Sequence, residues 1–244
     1  MNIPVLLLCY DESVSVKHVV IVGPQGAGKG TQAEQVAPRL GLVHLATGDL
    51  FRELMASESD LAEEVRSYVD KGDLVPDELT AQVLFAALDE AAAAHTITGA
   101  LFDGYPRNPA QATVLDEKIA DRGEELGAII HISVPHDVLM ERLTGRLVCR
   151  NCGRAFHKVF NPPSKDGVCD TCGGELYQRS DDTPEAVERR LSIYFEQTEP
   201  LLERWRERGI VHDIDGNQSI ENVTNDIIGS MANALDATAR EHAS

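Results

Sequence analysis

Val19-Val20-Ile21-Val22, running into Gly23-Pro24-Gln25-Gly26-Ala27-Gly28-Lys29-Gly30-Thr31, is the stretch on which the fold turns. An apolar run leads into a glycine-rich loop, and the segment from about Gly28 reads as a helix. Strand, loop and helix in that order make a phosphate site of an otherwise loose pattern. Glycines let successive backbone N–H groups turn toward an anion, and the helix N-terminus adds the positive end of its dipole. Lys29 is then placed to reach β- and γ-phosphates as a point charge. A plain strand-to-helix turn has no need of Gly23 and Gly28-Lys29 at this spacing. The residue after Lys29 is Gly30, and the hydroxyl comes one place later at Thr31. The direct Ser/Thr ligand on Mg²⁺ that is usual in this loop class is therefore not expected.

Outward from the loop, apolar runs alternate with helical stretches. A helix is expected from Gly28 toward Arg39, a strand over Leu42–Ala46, and Thr47-Gly48-Asp49 as N-cap and turn. Helices follow at Leu50–Ala56 and Leu61–Lys71, and one begun by Pro76-Asp77-Glu78 runs through Ala81–Ala94. Ala100-Leu101-Phe102 is a short strand ending in Asp103-Gly104-Tyr105-Pro106-Arg107. Helix Ala110–Arg122, strand Ala128–Ile132 and helix Asp137–Leu143 come next. Thr183-Pro184-Glu185 caps a long helix to about Arg208, then strand Ile210–Ile214 and a last helix near Ile220–Ala237. The pattern predicts an α/β fold: five parallel strands covered by helices on both faces. Three strand ends carry candidate functional residues, namely the glycine loop, Thr47 and Asp103. Open sheets of this kind bind ligands at that edge.

A net charge of −18 over 244 residues argues against a general nucleic-acid or anionic-membrane binder. Arginines number 16 against 6 lysines, and seven of them fall between Arg142 and Arg190. Arginine suits planar, bidentate grip on phosphate, so a small anionic substrate in a cleft is expected. No apolar run approaches the roughly 20 residues that span a bilayer. The run Ile3–Tyr10 lacks a basic n-region and leads into Asp11-Glu12, so it reads as a non-secretory extension, either an edge strand or a tail.

Cys149-x2-Cys152 and Cys169-x2-Cys172, sixteen residues apart, have the spacing of a four-cysteine zinc knuckle or ribbon. Gly153 and Gly173 relieve the backbone after each pair. Four thiolates fill a tetrahedral Zn²⁺ and leave no open position, so the metal would be structural. This usage, with Cys9 alone, suits a reducing cytoplasm. A nucleic-acid-binding ribbon is disfavoured by the acidity of the chain. His157 lies between the pairs and could replace a ligand, but is expected as a solvated loop residue.

Taken together these motifs resemble the adenylate kinases, specifically the long form whose lid carries zinc. The resemblance covers about Val16 to Ala234 and rests on Gly23–Thr31, Thr47-Gly48-Asp49 with Arg52, Asp103–Arg107 with Gln111, Gly145-Arg146, Arg179 and Arg190. It implies a P-loop core with a monophosphate-binding part at about 47–75 and a lid at about 145–182, with residues 1–15 matching nothing in the pattern. It also implies Mg²⁺-dependent phosphoryl transfer from ATP to AMP giving two ADP, in a cytoplasmic monomer serving adenine nucleotide balance.

The same resemblance implies the roles. Lys29 and the amides of Gly26, Ala27, Gly28, Gly30 and Thr31 hold ATP phosphates; Arg146, Arg179 and Arg190 close over the transferring group. Arg52 and Arg107 grip the AMP phosphate, while Arg142, Ala155, Phe156 and Gln218 line the ATP side. Thr47, Asp73, Leu74, Val75, Gly104, Tyr105, Pro106 and Gln111 line the AMP pocket, with Arg179 and Arg190 reaching it. Asp103 holds Mg²⁺ through water; Asp49 either joins it or simply caps a helix, and Phe156 is a nucleotide contact or lid core. Gln25 stands where the family often has proline. The rival readings are a UMP/CMP or GMP kinase, or a P-loop switch that transfers no phosphate. The switch has no use for the second anion grip at Arg52 and Arg107.

Overall fold

The computed structural model describes residues 17–69, 75–94, 99–178 and 183–241. The N-terminal extension, Asp73, Leu74 and Arg179 lie outside the described residues. Strand β1 (Lys17–Val22) leads through the glycine loop into helix α1 (Lys29–Arg39), and β2 (Val43–Ala46) follows. Three helices come next: α2 (Thr47–Met55), α3 (Asp60–Val69) and α4 (Asp77–Ala94). Then come β3 (Ala100–Asp103), α5 (Pro109–Asp121), β4 (Glu125–Ser133) and α6 (His136–Thr144). The cysteine-bearing insert contributes β5 (Arg146–Cys149), β6 (Ala155–His157) and β7 (Leu176–Tyr177). Helix α7 (Pro184–Ile193), a π-helical turn (Tyr194–Thr198), α8 (Leu201–Arg206), β8 (Val211–Asp215) and α9 (Ile220–Glu241) complete the chain.

The five expected core strands form one parallel sheet in the order β2-β3-β1-β4-β8. Period-two alternation along β1 divides its side chains between two cores. Val19 and Ile21 pack with Ile130, Ile132, Val36, Leu139 and Ile227 on one face. Val20 and Val22 pack with Ile129, Phe102, Leu84, Leu115 and Trp205 on the other. Burial on both faces explains why β1, β3 and β4 read as near-continuous apolar runs. A third, smaller core, in which Val65, Val75 and Leu79 are buried, holds α2, α3 and α4 together beside the sheet.

Three details depart from expectation. Thr47 does not cap a helix from outside: α2 begins at Thr47, with Ala46 as its N-cap and no side-chain cap hydrogen bond. The long helix after Thr183 is broken at Tyr194–Thr198 by a π turn, with Pro200 just beyond, because proline has no N–H to continue the ladder. The insert contains an antiparallel sheet, β6-β5-β7, in strands too short for a periodicity signal. Among the described residues no helix is long and apolar enough to cross a membrane.

Candidate active site

The glycine loop sits at the C-terminal end of the central strand β1. Gly26 and Gly28 hold φ of 84° and 94°, left-handed values that a side chain would strain. Gly28 is the N-cap of α1, so the loop amides and the helix N-terminus share one concavity. The Lys29 ammonium reaches back across the loop and donates to the carbonyls of Gly23 (2.8 Å) and Pro24 (3.1 Å). Burial holds its pKa down to about 8. Asp103 opposes that shift, and the charges of Arg107, Arg146 and Arg190 add to it. Four charged groups, from β3, the turn after β3, β5 and α7, thus act on the one ammonium of α1.

Asp103 closes β3 in register with Ile21 of β1 and Ala46 of β2. A Cβ placed on Gly30 would stand 3.6 Å from Asp103 Oδ2, so the missing hydroxyl belongs beside this carboxylate. His44, on β2, also faces Asp103, Nε2 to Oδ2 3.6 Å. Thr47 is buried and donates to the carbonyl of Gly104 at 3.2 Å. Asp49 pairs with Arg52 at the surface of α2 and makes no cap, so helix capping does not explain it.

The turn Gly104–Arg107 is fixed from several sides. Arg107 Nε donates to the carbonyl of Gly104 (2.7 Å), while its backbone N–H donates to Gln111 Oε1 (2.7 Å). Its carbonyl accepts from Thr198 Oγ1 in the π turn (2.7 Å). Asn108 caps α5, accepting from the Gln111 N–H at 2.8 Å. Gln111 is buried and its Nε2 donates to Asp77 Oδ1 at 2.8 Å. Tyr105 is buried against the same network, joined by a cis peptide to Pro106, which is buried too.

Arg142 ties the loop to the far end of the sheet, donating to Gly216 O (3.0 Å) and Gly26 O (3.5 Å). Gln218, beyond β8, donates to Asp215 O and Asp226 Oδ2, both at 2.9 Å. Ala155 is exposed on β6, whereas Phe156 is buried with Leu147, Leu176, Cys149 and Cys169 as the core of the insert. Val75 is likewise buried, in the core of the α2–α4 helices.

The four cysteines converge, with all sulfurs within 4.8 Å of one another. Cys149–Cys172 and Cys152–Cys169 stand at 3.4 and 3.6 Å. Zinc–thiolate bonds of about 2.3 Å in a tetrahedron set sulfurs about 3.8 Å apart, so the cluster could hold a metal. Backbone N–H groups of Cys152 and Asn151 pull Cys149 down. Burial works against the Cys169 thiolate, but the N–H groups of Cys172 and Thr171 outweigh it and bring it to about 6. Cys172, despite the Gly174 N–H, is pushed up to about 12 by the other sulfurs. Four thiols this close cannot all ionise without a cation.

His157 is not solvated as expected: it is buried at the root of the insert. Its Nδ1 accepts from the N–H groups of Val159 (2.9 Å) and Phe160 (3.0 Å), so the proton sits on Nε2, which donates to Glu141 O at 3.2 Å. Gln178 Nε2 donates to Thr144 O (2.7 Å), and the Lys158 N–H to Gly145 O (3.0 Å). Carbonyls at the C-terminus of α6 and its cap thus accept from residues of the insert, Glu141 O doing so in addition to the Gly145 N–H. Asp77, Asn108, Thr198, His157 and Gln178 were not legible as site residues in the sequence. Asn108, before Pro109, and Asp77, after Pro76, carried a local signal only as residues that open a helix.

A P-loop α/β phosphotransferase is the class that this fold, glycine loop and ring of arginines define. The sequence model of the family described as Adenylate kinase matches residues 21–210. Among relatives, the "Adenylate kinase" of Carboxydothermus hydrogenoformans is 46% identical over 217 residues, 89% of this chain and 98% of its own length. That of Bacillus pumilus is 48% identical over 210 residues, covering 86% and 95%. That of Listeria monocytogenes serotype 4a is 47% identical over 209 residues, covering 86% and 96%. The chain belongs to the adenylate kinase family and is a nucleotide-binding phosphotransferase, with a four-cysteine cluster that fits the zinc-bearing form of the lid.

Proposed function

We propose that the chain transfers the terminal phosphoryl group of MgATP reversibly to AMP, giving two ADP, and so balances adenine nucleotides in the cytoplasm as a monomer. The observation that carries this reading is the convergence of Asp103, Arg107, Arg146 and Arg190 on the Lys29 ammonium. A nucleotide switch needs one anion grip; a phosphoryl transferase needs a donor grip, an acceptor grip and charge between them.

The acceptor is an AMP phosphate oxygen, already ionised, so no general base is required and the work is positioning and charge stabilisation. The amides of Gly26–Thr31 and Lys29 hold the donor phosphates, with Arg142, Ala155, Phe156 and Gln218 toward the donor nucleoside. Arg52 and Arg107 take the acceptor phosphate; Thr47, Gln111, Asp73, Leu74, Val75 and the Gly104–Pro106 turn line its nucleoside. Arg146, Arg179 and Arg190 neutralise charge on the transferring group. Asp103 holds waters of the magnesium that accompanies ATP, Gly30 leaving it room. Residues 47–75 form the acceptor-binding part and 145–182 a lid, stapled by one structural zinc on Cys149, Cys152, Cys169 and Cys172. Closure of the lid keeps water from the donor.

The test is a coupled assay of ATP against AMP, UMP, CMP and GMP. Production of ADP with AMP at far higher kcat/KM than with the others is expected. Preference for another monophosphate, or none, would overturn the reading.

A further inference from the structure

We infer that Asp77 is a specificity-determining positioning residue: acting through Gln111, it sets the acceptor site for amino bases against oxo bases. This rests on the proposal that Gln111 faces the base of the acceptor nucleotide.

A glutamine carboxamide has two unlike ends, an acceptor and a donor, and which base it matches depends on which way it is turned. Both ends of Gln111 are fixed by partners that permit one orientation only. The Arg107 backbone N–H can only donate, and it meets Oε1 at 2.7 Å. The Asp77 carboxylate can only accept, and it meets Nε2 at 2.8 Å. Turning the amide over would set N–H against N–H at one end and oxygen against carboxylate at the other. Asp77 is itself held in place by Asn108 Nδ2 at 3.1 Å, and Asn108 cannot turn because its Oδ1 caps α5 by accepting from the Gln111 N–H. A closed circuit therefore runs from the first turn of α4 to the first turn of α5, with Gln111 buried within it.

After these bonds Gln111 keeps one lone pair on Oε1 and one hydrogen on Nε2. An acceptor beside a donor matches the amino hydrogen and ring nitrogen on the pairing edge of adenine. The oxo group and N–H of hypoxanthine, guanine or uracil meet both positions with the wrong sign. A site that leaves its polar groups unpaired against the wrong ligand discriminates more strongly than one relying on fit alone. Asp77 thus has a role beyond placing a negative charge at the N-terminus of α4.

The experiment compares kcat/KM for AMP and IMP, with ATP as donor, in the wild type, Asp77→Ala, Asp77→Asn and Gln111→Ala. Asp77→Ala is expected to lower the AMP-to-IMP ratio tenfold or more, mainly through the KM for AMP, leaving the KM for ATP within about twofold, since one charged hydrogen bond is worth about that factor. Asp77→Asn, which keeps an acceptor oxygen, should fall between. A folded Asp77→Ala with the wild-type ratio would overturn the inference; were that variant unfolded, Asp77→Asn decides alone, a ratio below wild type supporting it and an equal ratio overturning it. If Gln111→Ala also keeps the wild-type ratio, the base reading itself fails. If Gln111→Ala abolishes the ratio and Asp77→Ala does not, only the role of Asp77 fails.

Discussion

Thr198 Oγ1 donates to the carbonyl oxygen of Arg107 at 2.7 Å, joining residues 91 positions apart in the chain. The π turn that carries Thr198 directly continues α7, the helix that carries Arg190. One helix thus sets Arg190 where its charge acts on Lys29 and leads into the turn that braces the backbone of Arg107. With Gln111 receiving its N–H and Gly104 receiving its Nε, Arg107 is held in one posture with its outer nitrogens left to bind. Arg107→Lys keeps the charge but loses the Gly104 anchor and the planar fork. The expected result is a KM for AMP raised about tenfold or more, and about a hundredfold for Arg107→Ala, as for loss of one or two charge-assisted bonds. The KM for ATP should hardly change; steady-state kinetics with each substrate varied in turn checks both.

Lys29 gives a pH dependence with a definite sign. Its folded pKa is lowered from 10.5 to about 8 by burial, with Arg107, Arg146 and Arg190 adding to the effect. Above pH 8 the nucleotide-free protein loses this charge, and phosphate binding must recover the proton. The KM for ATP should therefore rise from pH 8 to pH 9.5, by up to tenfold per unit for one coupled proton. Proton uptake on binding, measured by titration calorimetry in buffers of different ionisation enthalpy, should increase over the same range. A flat profile would separate Lys29 from the phosphates.

The same linkage predicts loss of stability in mild acid. The Ala100 N–H donates to His18 Nδ1 at 3.1 Å, so the proton of the neutral ring lies on Nε2, 2.9 Å from Glu124 Oε2. Burial lowers the folded pKa of His18 below 6.5, although Glu124 works the other way. Below pH 6.5 the unfolded chain takes up a proton that the native state refuses, so stability falls as pH falls through that region. Urea unfolding at pH 7.5 and pH 5.5 should show a drop that is smaller in His18→Gln.

Much of this was legible in the sequence, for reasons that particular residues make plain. The parallel sheet could be read because β1 and β4 are buried on both faces and so are apolar throughout, and because Gly26 and Gly28 answer a backbone need that no other residue meets. The cysteine pairs were legible because a metal site fixes both residue type and spacing. The circuits that position the site were not. Thr198–Arg107 and Asp77–Gln111 are tertiary contacts between ordinary polar residues, and the break at Tyr194–Thr198 looks like continuous helix in one dimension. His157 misled for the same reason: its burial comes from Glu141 O of α6, a tertiary contact that Ala155–Phe160 by itself does not reveal.

The cysteine cluster should behave as a staple. Chelation of the metal, or Cys149→Ser, should remove one equivalent of zinc by elemental analysis and lower the melting temperature. The sulfurs lie within 4.8 Å in an insert whose small buried cluster, among the described residues, is Phe156, Leu176 and two of the cysteines themselves. A core that small needs a further constraint to hold its shape. Turnover at low temperature should survive, because no cysteine is among the residues proposed to hold phosphate. Immediate loss of turnover without unfolding would contradict a structural role.

Gly145 and His157 should prove to be one unit at the root of the insert. A Cβ on Gly145 would overlap His157 Nε2 and stand 2.6 Å from its Cε1. The same Nε2 donates to Glu141 O, while β5 and β6 pair Arg146 with His157. Gly145→Ala must displace the ring, breaking the cap on α6 and shifting the strand on which Arg146 is mounted. It should lower both the melting temperature and kcat. In His157→Ala the ring is gone and there is nothing to displace, so adding Gly145→Ala should cost little more than a modest backbone effect. A double-mutant cycle is expected to show a coupling of about 0.5–3 kcal/mol in stability, the range for residues in direct contact. Additive effects would mean that the imidazole does not seat on Gly145.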